Sequence, residues 1–173
     1  MEKDLERNNL WAPWRIKYIK GLTEKHECFL CHNVNNPAQD CENLVLWRTK
    51  SAFVLFNRFP YNNGHLMVAP NKHIPDFEGL DENELLEITK LIVVCQKALK
   101  LAVNPHGFNV GMNFGRCAGA GVPGHLHVHI VPRWDGDTNF MEVCSNTDVI
   151  SQGMRELYDQ LKEIGEKHNL PGI

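Results

Sequence analysis

A short run of alternating histidines constrains this chain more than any other feature of its sequence. Three histidines alternate there with three large apolar residues, in the order His125, Leu126, His127, Val128, His129 and Ile130. Strict alternation of polar and apolar residues is typical of a β-strand with one buried face. Such a strand would carry the three imidazoles on one side, with neighbours about 6–7 Å apart. The run from Gly124 to Arg133 therefore predicts a chemical site on a strand.

Length, composition and charge limit the class of protein to which this chain can belong. The chain has 173 residues, of which 43% are hydrophobic and 23% are charged, as in an ordinary globular domain. Its formal net charge of -3 argues against general nucleic-acid binding through a basic surface. No apolar run approaches the roughly 18 residues that span a membrane, and the charged start over 1–7 lacks the pattern of a signal peptide. We therefore expect a cytoplasmic protein without membrane contact.

Hydrophobic periodicity divides the rest of the chain into strands and helices. We expect a loop over 33–42 and, besides the histidine strand over 124–133, four strands over 44–47, 52–57, 65–70 and 108–113. A helix is predicted from Asp81 to about Val103, with Asp81 and Glu84 as a capping box. A second amphipathic helix is predicted near the end, capped by Asn146 or Thr147. These elements indicate an α+β fold, with an antiparallel sheet of about five strands and two main helices.

No linker or internal repeat divides the chain, so we expect one domain over 1–173. Within it we distinguish an amino-terminal arm over 1–25, a catalytic core over 26–140 and a carboxy-terminal helix over 146–168. The arm is aromatic near Trp11 and Trp14, which favours docking onto the body or onto a second subunit.

Six cysteines indicate reduced thiols or a metal site in a cytosolic chain of this size. Only Cys28 and Cys31 lie close together, as a C-x-x-C pair. Tetrahedral zinc needs four ligands, so the pair alone leaves two ligands to be found, and His26 and His32 flank it. Metal-free thiols are the alternative.

The histidine run, followed by two apolar residues, resembles the histidine triad of the HIT superfamily of nucleotide hydrolases and transferases. The resemblance covers most of residues 26–134, with 52–70 similar to the family's nucleoside-binding segment and 113–121 similar to its phosphate loop. The stretches 10–15 and 131–140 narrow it to bacterial members that resemble diadenosine tetraphosphate phosphorylases. The resemblance implies a HIT-like fold and a homodimer.

The resemblance also implies different roles for the histidines. It makes His127 the nucleophile, which attacks an α-phosphorus and forms a nucleotidyl-histidine intermediate. Neutral imidazole suits this role, and an ordinary imidazole pKa near 6.5 leaves the ring mostly neutral at pH 7. The second ring nitrogen must then donate to a fixed acceptor, such as a backbone carbonyl of the histidine strand. His129 and Asn113 would donate to phosphate oxygens, together with backbone amides of the glycine-rich loop.

Nucleotide and metal contacts follow from the same resemblance. The expected nucleotide-binding residues are Asn57, Phe56, Gly119, Ala120, Gly121 and His129. Asn57 would bind the ribose hydroxyls, because an amide both donates and accepts. A structural zinc ion would be held by Cys28, Cys31, His73 and His125. Any magnesium would arrive complexed with the substrate.

The loop before the histidine strand departs from the family pattern. Where many relatives carry Gln, Ser or Thr, this chain has Ala120 and Gly121, and it holds one extra residue near Pro123 and Gly124. A side-chain donor to the leaving group is therefore missing from the expected place. We expect cleavage of an AMP-containing substrate such as diadenosine tetraphosphate. The alternatives are a phosphoramidase that acts on adenylyl-amines and a nucleotide-binding module without catalysis.

Overall fold

The computed structural model describes residues 28–137 and 150–170. The predicted arm over 1–25, His26 and the predicted caps Asn146 and Thr147 lie outside these ranges. The described strands are β1 (Val45–Arg48), β2 (Ala52–Phe56), β3 (Leu66–Pro70), β4 (Gly107–Gly111) and β5 (Val128–Arg133). The described α-helices are α1 (Phe29–Asn35), α2 (Asp40–Asn43), α3 (Glu82–Val103) and α4 (Met154–Lys167). Single 3-10 turns cover Pro37–Gln39 and Arg116–Ala118.

The strands form one five-stranded sheet in the order β1-β2-β3-β5-β4, and all neighbouring pairs are antiparallel. This confirms the predicted α+β fold with an antiparallel sheet of about five strands. Strands β1 to β3 are sequential neighbours, as expected for a meander. Strand β5 then enters between β3 and β4, which places the histidine run in the interior of the sheet.

The two faces of the sheet pack against different helices. One face, which includes Val68, packs against α3 and α4 in the larger core. The other face, which includes Met67, packs against Leu30 of α1. Met67 is the register partner of His129, and paired residues of an antiparallel sheet point to the same side. His129 therefore lies on the α1 face, away from the two long helices.

Helix α3 begins as its sequence predicts. The Asp81 carboxylate accepts from the backbone N–H of Glu84 at 3.0 Å, and the Glu84 carboxylate accepts from the backbone N–H of Asp81 at 2.9 Å. This reciprocal capping box satisfies two of the otherwise unpaired donors at the helix start. No helix within the described ranges is long and apolar enough to cross a membrane.

The histidine strand is shorter than its alternation predicts. Strand β5 begins at Val128 rather than at residue 124, so His125 and His127 precede it. The backbone N–H of Leu126 donates to the carbonyl oxygen of Ile74, and that of His125 donates to Val122. Because these groups bond to loops, no ladder with a neighbouring strand forms there.

Two other boundaries also differ from prediction. The expected loop over 33–42 contains helical turns, which Arg48 holds by donating from Nε to Asp40 at 2.7 Å. The carboxy-terminal helix begins at Met154, and residues 150–153 are not helical. Gly153 is its extended N-cap residue, so the earlier apolar position Ile150 lies outside the helix.

Candidate active site

Four side chains that are distant in the sequence meet at one edge of the histidine run. Cys28 and Cys31 belong to the start of α1, His73 to the loop after β3, and His125 to the segment before β5. Their ligand atoms all lie within 4.8 Å of one another. The two Sγ atoms are each 3.4 Å from His125 Nδ1, and Cys31 Sγ is 3.1 Å from His73 Nδ1. Zinc–ligand bond lengths give a tetrahedron with edges of about 3.3–3.8 Å, so this cluster has the donors and the spacing to hold a metal ion.

The surroundings of the cluster orient its imidazoles. His125 is 1% exposed, and its Nε2 is 2.8 Å from the carbonyl oxygen of Pro70. A carbonyl only accepts, so Nε2 carries the proton and the Nδ1 lone pair faces the cysteines. Holding the outer nitrogen of a ligand histidine in this way is typical of metal sites. Gly124 makes room for His73, because a Cβ at Gly124 would stand 3.1 Å from His73 Nε2.

The Cys31 thiol is poorly suited to stand charged without a cation. Burial, and the hydrogen bond and charge of neighbouring Cys28, raise the pKa of Cys31 to about 11. A divalent ion reverses this preference, because thiols bind metal as thiolates and release their protons. His32, the flanking alternative, is outside the cluster and has its Nε2 3.2 Å from the side-chain oxygen of Gln39.

Of the two ring nitrogens of His127, Nδ1 has a hydrogen-bond partner and Nε2 has none among the described residues. Its Nδ1 is 2.8 Å from the backbone carbonyl oxygen of His125, so Nδ1 carries the proton and donates it. Nε2 of the neutral ring then keeps its lone pair. The residue is 6% exposed, and its ring is edge-on to that of His129, with centroids 4.9 Å apart. A buried imidazole with one held tautomer and a free lone pair can act as a nucleophile.

A fourth histidine, His65, sets the tautomer of His129. The backbone N–H of Tyr61 donates to His65 Nδ1 at 3.1 Å, so a neutral His65 carries its proton on Nε2. That Nε2 is 2.9 Å from His129 Nδ1 and donates to it. His129 consequently carries its own proton on Nε2. This chain of bonds leaves His129 as a donor beside the lone pair of His127.

Burial keeps the imidazole rings of His65 and His129 neutral. It lowers the pKa of His65 to about 3, with charge on His129 and His127 as smaller causes. It also lowers the pKa of His129 to about 4, and His127 adds to that shift. Removal from water disfavours the charged imidazolium, which explains both directions. At neutral pH, His129 is therefore an uncharged hydrogen-bond donor.

In the sequence, His65 directly follows the turn residue Gly64, and this position alone favours a structural role. The residue is fully buried and lies two positions before Met67, the register partner of His129. Residues two apart on a strand share a face, and that offset was the signal that placed His65 beside the histidine run. Tyr61 was also missed. Its ring centroid is 4.6 Å from that of His65 and 5.8 Å from that of His129, and its contact with them depends on the turn before β3.

The two nucleotide-binding residues predicted near the end of β2 lie in different places. Asn57 lies beside His65, with its Nδ2 3.4 Å and 3.5 Å from the two ring nitrogens, and its Oδ1 accepts from the backbone N–H of Phe59 at 2.9 Å. Phe56 is buried in the core under α3 and α4, with its ring 6.4 Å from that of Tyr158. The structure therefore brings Asn57, but not the Phe56 side chain, to the histidine face.

The loop after β4 uses two of its predicted phosphate-binding amides internally. The N–H of Gly119 donates to the carbonyl oxygen of Arg116 at 3.0 Å, and that of Ala120 donates to Gly115 at 3.2 Å. Of the three expected amides, that of Gly121 alone makes no hydrogen bond with a described residue. Asn113 faces this loop, because a Cβ at Gly119 would be 4.0 Å from its Nδ2. Of the groups predicted to bind phosphate in this loop, the Asn113 amide and the Gly121 N–H thus make no hydrogen bond with a described residue.

A profile of the HIT domain family matches residues 38–136 of this chain. Together with the sheet and the clustered histidines, this match shows that the chain belongs to the HIT family. The family prediction is confirmed.

Individual relatives narrow the branch. AP-4-A phosphorylase from Mycobacterium tuberculosis is 39% identical over 159 residues, which cover 85% of this chain and 78% of the relative. An asymmetrical bis(5'-nucleosyl)-tetraphosphatase from Schizosaccharomyces pombe is 32% identical over 93 residues, which cover 54% of this chain and 50% of that protein. The Mycobacterium tuberculosis relative confirms the predicted bacterial branch, and both relatives confirm the expectation of a HIT-family enzyme.

Solved structures support the same fold. A histidine triad nucleotide-binding protein from Sulfolobus tokodaii has a TM-score of 0.65 at 28% identity, over 81% of this chain and 93% of that one. A Zn-bound histidine triad family protein from Mycobacterium smegmatis has a TM-score of 0.66 at 20% identity, over 83% of this chain and 96% of that one. Both confirm the HIT-like architecture.

Proposed function

We propose that this protein cleaves dinucleoside polyphosphates, such as diadenosine tetraphosphate, by transferring AMP to Nε2 of His127. The main support for the proposal is that hydrogen bonds fix the tautomers of two neighbouring histidines. His127 has a lone pair on Nε2, and His129 has a proton on Nε2. Nucleophile and donor are on neighbouring rings, as a displacement at phosphorus requires. The name of the Mycobacterium tuberculosis relative supports the choice of substrate.

The reaction consists of two displacements. In the first, His127 Nε2 bonds to the α-phosphorus, and the bond from that phosphorus to the bridging oxygen breaks, so that ATP leaves. In the second, an oxygen of phosphate or water attacks the same phosphorus, the P–N bond breaks, and the acceptor loses its proton. Phosphate as acceptor gives ADP and ATP, whereas water gives AMP and ATP. A covalent intermediate of this kind predicts ping-pong kinetics.

The other polar groups of the site stabilise charge on the phosphate. We expect His129 Nε2, the Asn113 amide and the Gly121 N–H to donate to its nonbridging oxygens, because preformed donors favour the charge that develops in the transition state. We expect Asn57 to bind the ribose, since its Nδ2 and the second lone pair of its Oδ1 suit a diol. In this role His129 donates a hydrogen bond and stays neutral throughout the reaction.

The cluster of Cys28, Cys31, His73 and His125 would hold a structural zinc ion. Four protein ligands of this kind leave no open position, so the bound ion would supply no chemistry and would act as a fixed cross-link. The backbone carbonyl of His125 holds His127 Nδ1. The cluster therefore orients the nucleophile through the main chain.

We expect the active protein to be a homodimer that pairs through β4. Within the described ranges, β4 is an edge of the sheet, and Asn109, Val110 and Gly111 are exposed. An edge strand presents unpaired N–H and C=O groups, and a second copy related by a two-fold axis can pair with it.

Incubating the protein with diadenosine tetraphosphate, with and without inorganic phosphate, tests the proposed function. We expect ATP in both cases, ADP with phosphate, and a radiolabelled adenylyl-enzyme that is stable in base and labile in acid. His127→Gln should abolish turnover and labelling, whereas His106→Gln, at a histidine that is 55% exposed and outside the site, should not. Lack of ADP with added phosphate would exclude a phosphorylase. Faster release of AMP from adenylyl-lysine than from the dinucleotide would instead favour a phosphoramidase.

A further inference from the structure

We infer that Phe77, Phe114 and Arg116 form a second subsite, which binds the departing nucleotide. In this subsite the two phenyl rings contact its base and the guanidinium contacts its polyphosphate. The inference rests on the proposed function, because it places the half of a dinucleotide that does not become attached to His127.

The side chains of Phe77 and Phe114 form an exposed aromatic surface. Their ring centroids are 5.6 Å apart with an interplanar angle of 61°, and Phe77 and Phe114 are 38% and 44% exposed. Neither belongs to the two hydrophobic clusters of the described residues. Apolar rings left in water favour contact with another flat apolar surface, and a nucleobase has a π-face on either side.

The loop that carries Phe77 is attached to the histidine run. The backbone N–H of Leu126, which lies between His125 and His127, donates to the carbonyl oxygen of Ile74 at 2.6 Å. The N–H of Leu80 donates to the carbonyl oxygen of Phe77 at 3.0 Å and closes a turn. These two hydrogen bonds therefore fix the backbone of the Phe77 loop beside the start of the histidine run.

Phe114 comes from the other loop that borders the run. It directly follows Asn113, the proposed phosphate donor, and precedes Gly115, whose φ of 78° turns the chain. The contact between the rings thus joins the loop after β3 to the loop after β4. Both loops lie at the ends of their strands that border His125 and His127.

The opposite end of the site holds the proposed ribose contact. Asn57 lies beside His65, and His65 bonds to His129, whereas the aromatic pair borders the segment before His127. A dinucleotide with one ribose at Asn57 and its α-phosphorus at His127 Nε2 extends its second half toward the pair. The order of groups along the site therefore matches the order of groups along the substrate.

Arg116 supplies a cation on the same loop, two residues after Phe114. The side chain is exposed, and its guanidinium makes no hydrogen bond or ion pair with a described residue. A polyphosphate carries several negative charges, and guanidinium groups bind phosphate oxygens through charge-assisted hydrogen bonds. The loop therefore offers a charged contact for the phosphates between the two nucleosides.

Three substrates separate the parts of this subsite. Adenosine 5'-phosphofluoridate has neither polyphosphate nor second base, adenosine 5'-tetraphosphate adds the polyphosphate, and diadenosine tetraphosphate adds the second base. Phe77→Ala and Phe114→Ala should each raise KM about tenfold for the dinucleotide, the size of loss expected when one base loses an aromatic contact. They should leave the other two substrates unchanged. Arg116→Ala should raise KM for both polyphosphates and leave the fluoridate unchanged.

Leu86→Ala is the matched control, because Leu86 is 51% exposed on α3 and the variant should alter none of the three substrates. If the phenylalanine variants change all three substrates equally, or none, the subsite does not exist. A lower melting temperature with unchanged KM ratios would show that another segment of the chain covers the rings, and it would also overturn the inference. If the wild type releases neither AMP nor, with added phosphate, ADP from the fluoridate, the proposed function itself has failed, together with the inference.

Discussion

His65 determines which nitrogen of His129 carries a proton. The buried ring accepts from the Tyr61 N–H and donates to His129 Nδ1, so both of its nitrogens are paired, and Asn57 Nδ2 lies farther from them, at 3.4 Å and 3.5 Å. Removing the donor would leave the His129 Nδ1 unpaired, and a buried unpaired acceptor is costly. The Nε2–H tautomer would lose its stabilisation relative to the Nδ1–H tautomer, so His129 would populate both and its Nε2 would donate only part of the time. His65 is a positioning residue in this scheme, because it acts on the substrate through His129.

A pair of substitutions at His65 tests this role. In His65→Leu we expect kcat/KM to fall by about 10–100-fold, as when the outer hydrogen-bond partner of a functional histidine is lost. His65→Gln should restore most of the activity, because its amide oxygen can accept from Tyr61 and its amide nitrogen can donate to His129. Nitrogen-15 NMR of the imidazoles should show His129 protonated at Nε2 in the wild type and in His65→Gln only.

Thermal unfolding of both variants separates this effect from a loss of folding. If His65→Leu keeps the His129 tautomer of the wild type, the inactivity of that variant has another cause. Equal activity of the leucine and glutamine variants would likewise contradict a positioning role.

At the level of elements, the cluster of two cysteines and two histidines brings together parts of the chain that no strand ladder joins. Helix α1 contributes Cys28 and Cys31, the loop after β3 contributes His73, and the segment before β5 contributes His125. The last segment lacks ladder hydrogen bonds, since its N–H groups bond to loops. A bound ion would therefore hold these elements together where the sheet itself does not.

Zinc content and its dependence on Gly124 test the cluster. We expect about one zinc per chain by elemental analysis of protein prepared without chelator, and a lower melting temperature after chelation. Gly124→Ala should weaken zinc retention although it removes no ligand, because the added Cβ would stand 3.1 Å from His73 Nε2.

Gly107→Ala is the control for the glycine variant, since a Cβ at Gly107 meets nothing within 4 Å. It should retain zinc as the wild type does. Less than about half an equivalent of zinc in the wild type would contradict the four-ligand site, and equal retention by both glycine variants would contradict the crowding of His73.

For the whole molecule, the buried histidines make stability depend on pH. The pKa of His65 falls from 6.5 to about 3 on folding, and that of His129 falls to about 4. Between these values and 6.5 the unfolded chain binds protons that the folded chain does not, so acid favours unfolding. The free energy of unfolding should therefore be highest above pH 6.5 and should decrease as the pH falls toward about 4.

Urea unfolding at several pH values between 7.5 and 4 measures this dependence. We expect a shallower decrease in His65→Gln than in the wild type, because glutamine does not titrate. Comparing the two proteins cancels contributions that they share, such as release of a metal in acid. Parallel curves would show that His65 does not contribute.

The exposed edge strand β4 allows a test of the proposed homodimer. Val110 on β4 is 43% exposed, and a charged side chain on an edge strand opposes pairing with another strand. Val110→Lys should therefore convert a dimer into a monomer in analytical ultracentrifugation. A control is Leu101→Lys on α3, where the side chain is 53% exposed. A wild type that is monomeric at micromolar concentration would exclude the β4 dimer.

Much of the fold could be predicted from local patterns. Alternation located the histidine strand, short apolar runs between turn residues located the other four strands, and the helical period with its capping box located α3 to within one residue. The start of β5 was placed too early, because alternation continues through His125 while the backbone there bonds to Ile74 and Val122. The start of α4 was placed too early because Ile150 fits the helical spacing, although Gly153 is the N-cap residue and the helix begins at Met154.

Less of the site could be predicted, because it depends on segments that are far apart in the chain. Spacing within the sequence identified the histidine run, and the family resemblance supplied four residues that do lie together. It did not show that His65 bonds to His129, that Gly124 makes room for His73, or that Phe56 lies on the opposite face. Side-chain alternation is local, whereas the direction of a hydrogen bond and the neighbour of a side chain depend on strand register and on loop contacts. The sequence by itself therefore identified the histidines, whereas only the folded molecule determines which of their nitrogens carry protons.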